Sequence, residues 1–229
     1  MNLKQQLRWA AVFAAFLALG SPALGSEVGG KVLLSGKPVA EVVISIEGLK
    51  EEAPTDATVY VVDHHNLDFV PHLLVIRPGT RVRFENSDGM PCHIYSTSPA
   101  GNFALRRQDG KPMTITFDQP GVIVVRCAEH GRIYAYIIIR ENPYFALTDP
   151  KGRYKISNLP PGRYTLQAWY EGRVLETRAI EVGNKALKVD FKATRPEPSL
   201  GRQPLEVTPA VLSGAAHDPQ ILIPWSNEQ

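Results

Sequence analysis

Apolar and polar positions alternate with a period of two along much of the chain, or form short apolar blocks. The alternation is clearest over residues 81–85 and 113–117. Further segments rich in β-branched or aromatic residues are 39–46, 58–62, 121–125, 133–139 and 163–169. A period of two places successive side chains on opposite faces of a strand. These segments are therefore predicted to be β-strands.

Turn-forming residues separate the predicted strands. They lie at Ser35-Gly36, Arg77-Pro78-Gly79, Ser87-Asp88-Gly89, Asp109-Gly110, Gln119-Pro120-Gly121, Asp149-Pro150-Lys151-Gly152 and Pro160-Pro161-Gly162. Short strands at this spacing are typical of a sandwich or a barrel. Apart from the first 25 residues, no segment combines a helical period with caps, so the mature chain is predicted to be all-β.

Residues 1–25 have the pattern of a signal peptide: a short basic start, an apolar run over residues 9–19, and small residues at Ala23 and Gly25. We expect cleavage after Gly25, with Ala23 as the alternative. The apolar run is shorter than the roughly 20 residues of a spanning helix, although an uncleaved anchor is the other interpretation. The prediction is a periplasmic or secreted protein without membrane insertion after cleavage, in a compartment that oxidises unprotected thiols.

Net charge limits the possible partners, and the number of cysteines limits the possible scaffolds. The chain has 25 Lys and Arg against 23 Asp and Glu, and Lys4 and Arg8 leave with the leader, so the mature chain carries no net charge. Nucleic acid as a partner is therefore not expected. Two cysteines exclude a disulfide-rich scaffold. Residues 193–229 are proline-rich and are predicted to form a flexible tail without an assigned function.

Two short segments carry residues that bind metals. Cys127 and His130 lie three residues apart in a predicted tight loop between two strands, and Cys92 and His93 lie in a loop after the strand at 81–85. Thiolate and imidazole donors together suit copper or zinc. If both loops end at the same rim of a sandwich, their donors converge.

The motifs around these residues resemble cupredoxins, chiefly the exported domains labelled plastocyanin-like or methylamine-utilisation proteins. The matching features are Pro78-Gly79-Thr80, Val82, Phe84, Asn86-x-Asp88, the segment 92–96, Gln119-Pro120-Gly121 and Cys127-x-x-His130. The resemblance covers roughly residues 54–141. It implies a Greek-key sandwich for electron transfer, with type 1 copper held by an upstream histidine, the Cys-x-x-His pair and an axial methionine.

Two ligand positions depart from the family pattern. Counting from Asn86-x-Asp88 and Pro91, the upstream ligand histidine falls on Cys92, and His93 replaces it only if the loop shifts by one residue. Ile133 stands at the axial methionine position and offers no donor atom.

Three interpretations of this cluster stay open. Copper binds Cys127, His130 and a shifted His93 without an axial ligand, which would favour Cu(I). Alternatively, Cys92, Cys127 and His130 form a two-thiolate site that holds Cu(I) or Zn(II). In the third interpretation no metal binds, and a Cys92–Cys127 disulfide stabilises a β-sandwich binding or assembly module. The copper-binding electron carrier is the preferred function, with an unidentified redox or docking protein as its partner.

Other candidate groups favour structural roles. His64 and His65 are predicted to be an exposed loop pair, His72 a strand-edge residue, and Glu129 an outward-facing side chain. Tyr134, Tyr136 and Trp169 suit packing on a sheet face. No hydrolase, phosphate-loop or zinc-protease motif is present, so the chain is not predicted to be an enzyme.

The flanking segments resemble a carboxypeptidase-regulatory-like domain, a transthyretin-type sandwich. The matching features are Gly30-Lys-Val32 with Gly36-Lys-Pro38-Val39, Thr148-Asp149-x-x-Gly152 and Leu159-Pro-Pro-Gly162-x-Tyr164. We expect this second sandwich over residues 26–50 and 144–192, with the cupredoxin-like domain inserted as residues 51–143. The alternative is one extended sandwich with additional strands.

Overall fold

The computed structural model describes residues 26–51, 58–105 and 112–194, and this part of the chain consists of strands and their connections, without a helix. The strands are β1 (Ser26–Leu34), β2 (Lys37–Pro38), β3 (Val43–Glu47), β4 (Val59–His65), β5 (Asp68–Val70), β6 (Leu73–Ile76), β7 (Thr80–Asn86), β8 (Ile94–Ser98), β9 (Gly101–Leu105), β10 (Met113–Phe117), β11 (Gly121–Cys127), β12 (Tyr134–Ile139), β13 (Phe145–Leu147), β14 (Arg153–Leu159), β15 (Gly162–Tyr170), β16 (Arg173–Val182), β17 (Leu187–Lys188) and β18 (Phe191–Ala193). The all-β prediction is confirmed.

The strands form four sheets. Two of them come from the middle of the chain, with the orders β10-β7-β4-β5 and β6-β12-β11-β8-β9. The other two combine both ends of the described chain: β13-β3-β15-β16, and a sheet in which β1 pairs with β14, β17, β18 and β2. Parallel pairing occurs between β4 and β7, between β6 and β12, and between β1 and both β17 and β18.

The middle part of the chain buries one large apolar core. Strand alternation supplies it: Val82 and Phe84 from β7, Ile123 and Val125 from β11, and every second residue of β12 point inward. Cys92 and Cys127 belong to the same buried cluster. The site residues therefore sit at one end of a packed core, where water is excluded.

A second core draws on the two ends of the described chain. It contains Val28 and Val32 of β1, Ile44 and Ile46 of β3, and Phe191 of β18, among others. A third, smaller cluster of Val43, Leu73, Ile138 and Trp169 combines residues from both parts. Trp169 is 4% exposed, which confirms its predicted packing role.

The chain leaves the second core and returns to it at neighbouring points. The buried side chain of Asn142 donates to the carbonyl oxygens of Ile46 and Leu49, both at 2.9 Å, and the Glu51 amide donates to Glu141 O. The outgoing and returning segments are thus tied together beside β3. The proposed division into two domains, including the transthyretin-type assignment, stays a prediction.

Two predicted regions lie outside the described residues: the signal peptide over 1–25, and the proline-rich tail except for residues 193 and 194. Within the described ranges, no helix has the length and apolar content needed to cross a membrane.

Candidate metal centre

Three strands end at the same rim of the first core with a polar residue on their inward face. In β4, Val62 and His64 are buried while His65 is exposed. In β7 the inward series ends at Asn86, and in β11 it ends at Cys127. His64 and Asn86 are register partners in the parallel pair of β4 and β7. The alternation that builds the apolar core therefore continues into a polar rim.

The loops after β7 and β11 are held together at this rim. Cys127 pairs with Ile94 across β11 and β8, and the Ala128 amide donates to His93 O at 3.0 Å. The Ile133 amide donates to His130 O at 2.9 Å, which closes the loop after Cys127 as a tight turn. This turn begins at His130 and leads the chain into β12.

Cys127 lies within reach of two imidazoles. Its Sγ is 3.4 Å from His130 Nδ1, and the sulfur and one nitrogen each of His64 and His130 lie within 4.8 Å of one another. The rings of His64 and His130 stack with centroids 5.4 Å apart and an angle of 19° between their planes. Cys127 and His64 are fully buried, while His130 is partly exposed. A thiolate and two imidazoles are a donor set suited to copper.

A second group of donors shares the Cys127 sulfur. Cys92 Sγ, Cys127 Sγ and a carboxylate oxygen of Glu129 also lie within 4.8 Å of one another. Cys127 Sγ is 3.3 Å from Glu129 Oε2, and that oxygen accepts a hydrogen bond of 2.7 Å from the His93 amide. The imidazole of His93 contacts Glu129 Oε1 and belongs to neither group of donors.

The two buried thiols differ in acidity. A hydrogen bond from Cys92, helped by bonds from His130, lowers the pKa of Cys127 to about 7, although burial and the contact with the Glu129 carboxylate oppose this. Donation to Cys127, together with burial, raises the pKa of Cys92 far above its ordinary value. Both residues are free cysteines in this structure, so the disulfide of the third interpretation is not formed. Cys127 is thus the thiolate of the pair near neutral pH.

Asp88 connects the loop after β7 with the hairpin that carries His64. Its carboxylate accepts hydrogen bonds from the amides of Asn66 at 2.6 Å and Leu67 at 2.8 Å. These bonds lower the pKa of Asp88, and the bond from Leu67 has the larger effect. Asn66 and Leu67 have φ of 53° and 59°, a costly conformation for residues other than glycine. Asp88 therefore stabilises the strained turn directly after β4.

The predicted site residues are only partly brought together. Cys127 and His130 are in direct contact, and Cys92 joins them through its sulfur, whereas the His93 imidazole turns to Glu129. The interpretation of His64 as an exposed loop residue is wrong: its side chain is fully buried in β4 and faces Cys127. Glu129 is exposed as a residue, but its carboxylate binds His93 instead of pointing only to solvent.

Among solved structures, the chain is similar to amicyanin and pseudoazurin, which are cupredoxins. Two amicyanin variants in the Cu(I) form are each 18% identical, with a TM-score of 0.33 over 42% of this chain and 98% of theirs. A pseudoazurin from Methylobacterium extorquens AM1 is 20% identical, with a TM-score of 0.33 over 37% of this chain and 77% of its own. No family model matches the chain, and no curated protein does.

Proposed function

We propose that the chain is an exported copper-binding protein of cupredoxin type that transfers single electrons between protein partners. The observation that carries the proposal is the contact of 3.4 Å between Cys127 Sγ and His130 Nδ1 at the buried rim of a β-sandwich core. A second sulfur and a second imidazole converge on the same sulfur atom. Such a concentration of soft donors is expected of a metal site rather than of core packing.

The residues present fit a copper ion. The lowered pKa of Cys127 reduces the cost of deprotonating its thiol when a metal binds. His64 is fully buried, and among the described residues its Nε2 has no hydrogen-bond partner, a state that is costly unless a ligand completes it. Copper, when bound, would supply a one-electron couple between Cu(I) and Cu(II).

The residues around the site would also exclude water from the thiolate and provide a surface for a partner protein. Cys127 and the core around it exclude water from the sulfur, which protects the thiolate in an oxidising compartment. His130 is the donor with an edge toward solvent, since it is partly exposed while Cys127 and His64 are buried. A partner protein would therefore dock over the loop that carries His130.

The test uses the full chain, purified after export and kept reduced. Metal analysis and titration with Cu(II) are expected to give one copper per chain and an intense visible band from thiolate-to-copper charge transfer. Electrochemistry should then give a reversible one-electron wave. Cys127→Ser is expected to abolish the visible band, because a hydroxyl does not replace a thiolate as a soft donor.

The matched control is Cys92→Ser, which changes the neighbouring cysteine and is expected to keep a visible band. Two results would contradict copper binding by this chain. One is that the reduced chain fails to bind copper. The other is that the exported chain, unfolded without reductant, contains no reactive thiol, which would favour the metal-free module with a Cys92–Cys127 bridge. Tight copper or zinc binding without a one-electron wave would instead indicate a metal store.

A further inference from the structure

We infer that His64 is a metal ligand, which completes a set of one thiolate and two imidazoles with Cys127 and His130. The inference rests on the proposed function and specifies its ligand set. The family resemblance places the upstream ligand in the loop after β7, at Cys92 or His93. The structure instead supplies an imidazole from the neighbouring strand β4.

The burial of His64 is the first argument. Its side chain is 0% exposed, and within the described part of the chain its Nε2 has no hydrogen-bond partner. Leaving a buried polar group unsatisfied costs about 1–3 kcal/mol, and native proteins rarely tolerate it without a reason. A metal ion that accepts the lone pair of one nitrogen removes this cost.

The direction of the ring is the second argument. Continuing the inward alternation of β4 from Val62 places His64 toward the opposite sheet, where β11 ends at Cys127. One nitrogen of His64 lies within 4.8 Å of both Cys127 Sγ and a His130 nitrogen. Two strands and one tight loop thus bring three donors to one point, each from a different element.

Asp88 provides the third argument. Its Oδ2 lies 3.1 Å from His64 Nδ1 at an ion-pair distance, although the contact lacks the angle of a hydrogen bond. A carboxylate beside Nδ1 favours the tautomer with its hydrogen there and leaves the lone pair on Nε2. Carboxylates orient metal-binding histidines in this way in many sites.

Cys92 then has a different role from that of an upstream ligand. Its sulfur lies within 4.8 Å of Cys127 Sγ, in a group of donors that contains neither imidazole. A site of two histidines and one cysteine is the arrangement that suits copper electron transfer, whereas two thiolates and one imidazole would suit storage of Cu(I) or Zn(II).

The test compares His64→Gln with His65→Gln in the full chain. His65 is the matched control, because it is the next residue of β4 and its side chain faces solvent. Cu(I) affinity is measured by competition with a chromophoric chelator. We expect His64→Gln to weaken binding by about 100-fold or more, since removal of mere supporting residues already costs about 10–100-fold. His65→Gln is expected to bind as the wild type does.

A spectroscopic measurement on the unmodified chain covers the case in which His64→Gln does not fold. Long-range ¹H–¹⁵N spectra of the histidine rings are recorded before and after Cu(I) is added. Coordination shifts are expected at one ring nitrogen of His64 and one of His130, with the hydrogen of His64 on Nδ1. A purely structural His64 would alter stability when mutated but would give no coordination shift.

The outcomes separate the inference from the proposed function. If the wild-type chain binds no copper, the proposed function fails and the inference fails with it. If the wild type binds copper and His64→Gln binds equally well, or the His64 nitrogens do not shift, only the inference is overturned. The inference is supported if folded His64→Gln binds copper more weakly while His65→Gln does not, and if a ring nitrogen of His64 shows a coordination shift in the wild type.

Discussion

At the scale of single residues, the two buried cysteines share one hydrogen bond and are affected by it in opposite directions. Cys92 donates to Cys127, which lowers the pKa of the acceptor to about 7 and raises that of the donor. A thiolate in an apolar core is otherwise unfavourable, because burial alone raises the pKa of a thiol. The pair thus confines the negative charge to the sulfur that also contacts His130.

Cys92→Ala is therefore expected to raise the pKa of the Cys127 thiol from about 7 toward its ordinary value, since the first of its stabilising hydrogen bonds is removed. The ultraviolet absorbance of the thiolate, followed against pH in the metal-free reduced chain, measures this pKa. Cys92→Ser is the matched control, because its hydroxyl can still donate, and its titration should stay closer to that of the wild type. An unchanged Cys127 titration in Cys92→Ala would contradict the role assigned to Cys92.

The sequence pattern predicts some of these site residues but not His64, for an identifiable reason. The spacing of Cys127 and His130 predicts their contact, because a tight loop returns the histidine toward the cysteine. His64 was missed because the predicted strand ended at residue 62. Extending the alternation from Val62 by two residues would have placed His64 on the inward face. The orientation of His93 toward Glu129 depends on contacts across 36 residues, which local pattern does not contain.

At the scale of elements, the sequence pattern predicts strands whose inward faces are apolar throughout. For strands whose inward face ends in a polar residue, the predicted range ends too early. The predicted segments 81–85 and 113–117 match β7 and β10 closely. The segment 121–125 ends two residues before β11 does, at the point where the inward residue becomes Cys127. Strand β1 was not among the predicted strands, because Gly29 and Gly30 interrupt its apolar pattern and its partner β14 lies far along the chain.

The turn between β13 and β14 offers a test of element geometry. Gly152 has a φ of +72°, and a Cβ at this position would lie 2.5 Å from Val32 O of β1. Its carbonyl also accepts the Val32 amide at 2.8 Å, so the turn and β1 cannot easily move apart. We expect Gly152→Ala to lower the free energy of unfolding by about 1–3 kcal/mol or more, measured by urea denaturation.

Gly183→Ala is the matched control for this turn, because a Cβ there would meet no atom within 4 Å and the residue has no left-handed φ. Its effect should stay within about 0.5 kcal/mol. Equal effects of the two substitutions would contradict the close approach of the turn to β1.

At the scale of the whole molecule, the two large cores meet through a small apolar cluster and the tip of one hairpin. Trp169 packs edge-on against Tyr136 with ring centroids 4.9 Å apart. Beyond it, the β15–β16 hairpin turns at Glu171 and Gly172, both with positive φ. A Cβ on Gly172 would lie 3.1 Å from the Tyr136 hydroxyl, so the turn fits closely against β12. This contact therefore joins the β15–β16 hairpin to β12.

The polar residues at this contact predict that the stability of the fold depends on pH. Glu171 Oε1 lies 3.4 Å from His72 Nε2, and Tyr134 donates to Glu171 Oε2 at 2.9 Å. The hydrogen bond with Glu171 raises the pKa of His72, to which Asp68 and Glu41 add, and the same contact lowers the pKa of Glu171. The stability that His72 contributes is therefore complete below the pKa of His72 in the unfolded chain, and it is lost as the pH rises through its pKa in the folded chain. The stability that Glu171 contributes is lost as the pH falls through the lowered pKa of Glu171.

Glu171→Gln is consequently expected to destabilise the chain more at about pH 5.5 than at about pH 8.5, because only at the lower pH is His72 charged. The difference should not exceed about 1 kcal/mol, since both side chains are partly exposed and solvent screens the pair. Urea denaturation at the two pH values measures it. Glu181→Gln, an exposed position in β16, should show no such difference. Equal destabilisation by Glu171→Gln at both pH values would mean that the contact acts through the Tyr134 hydrogen bond and packing, without the charge of His72.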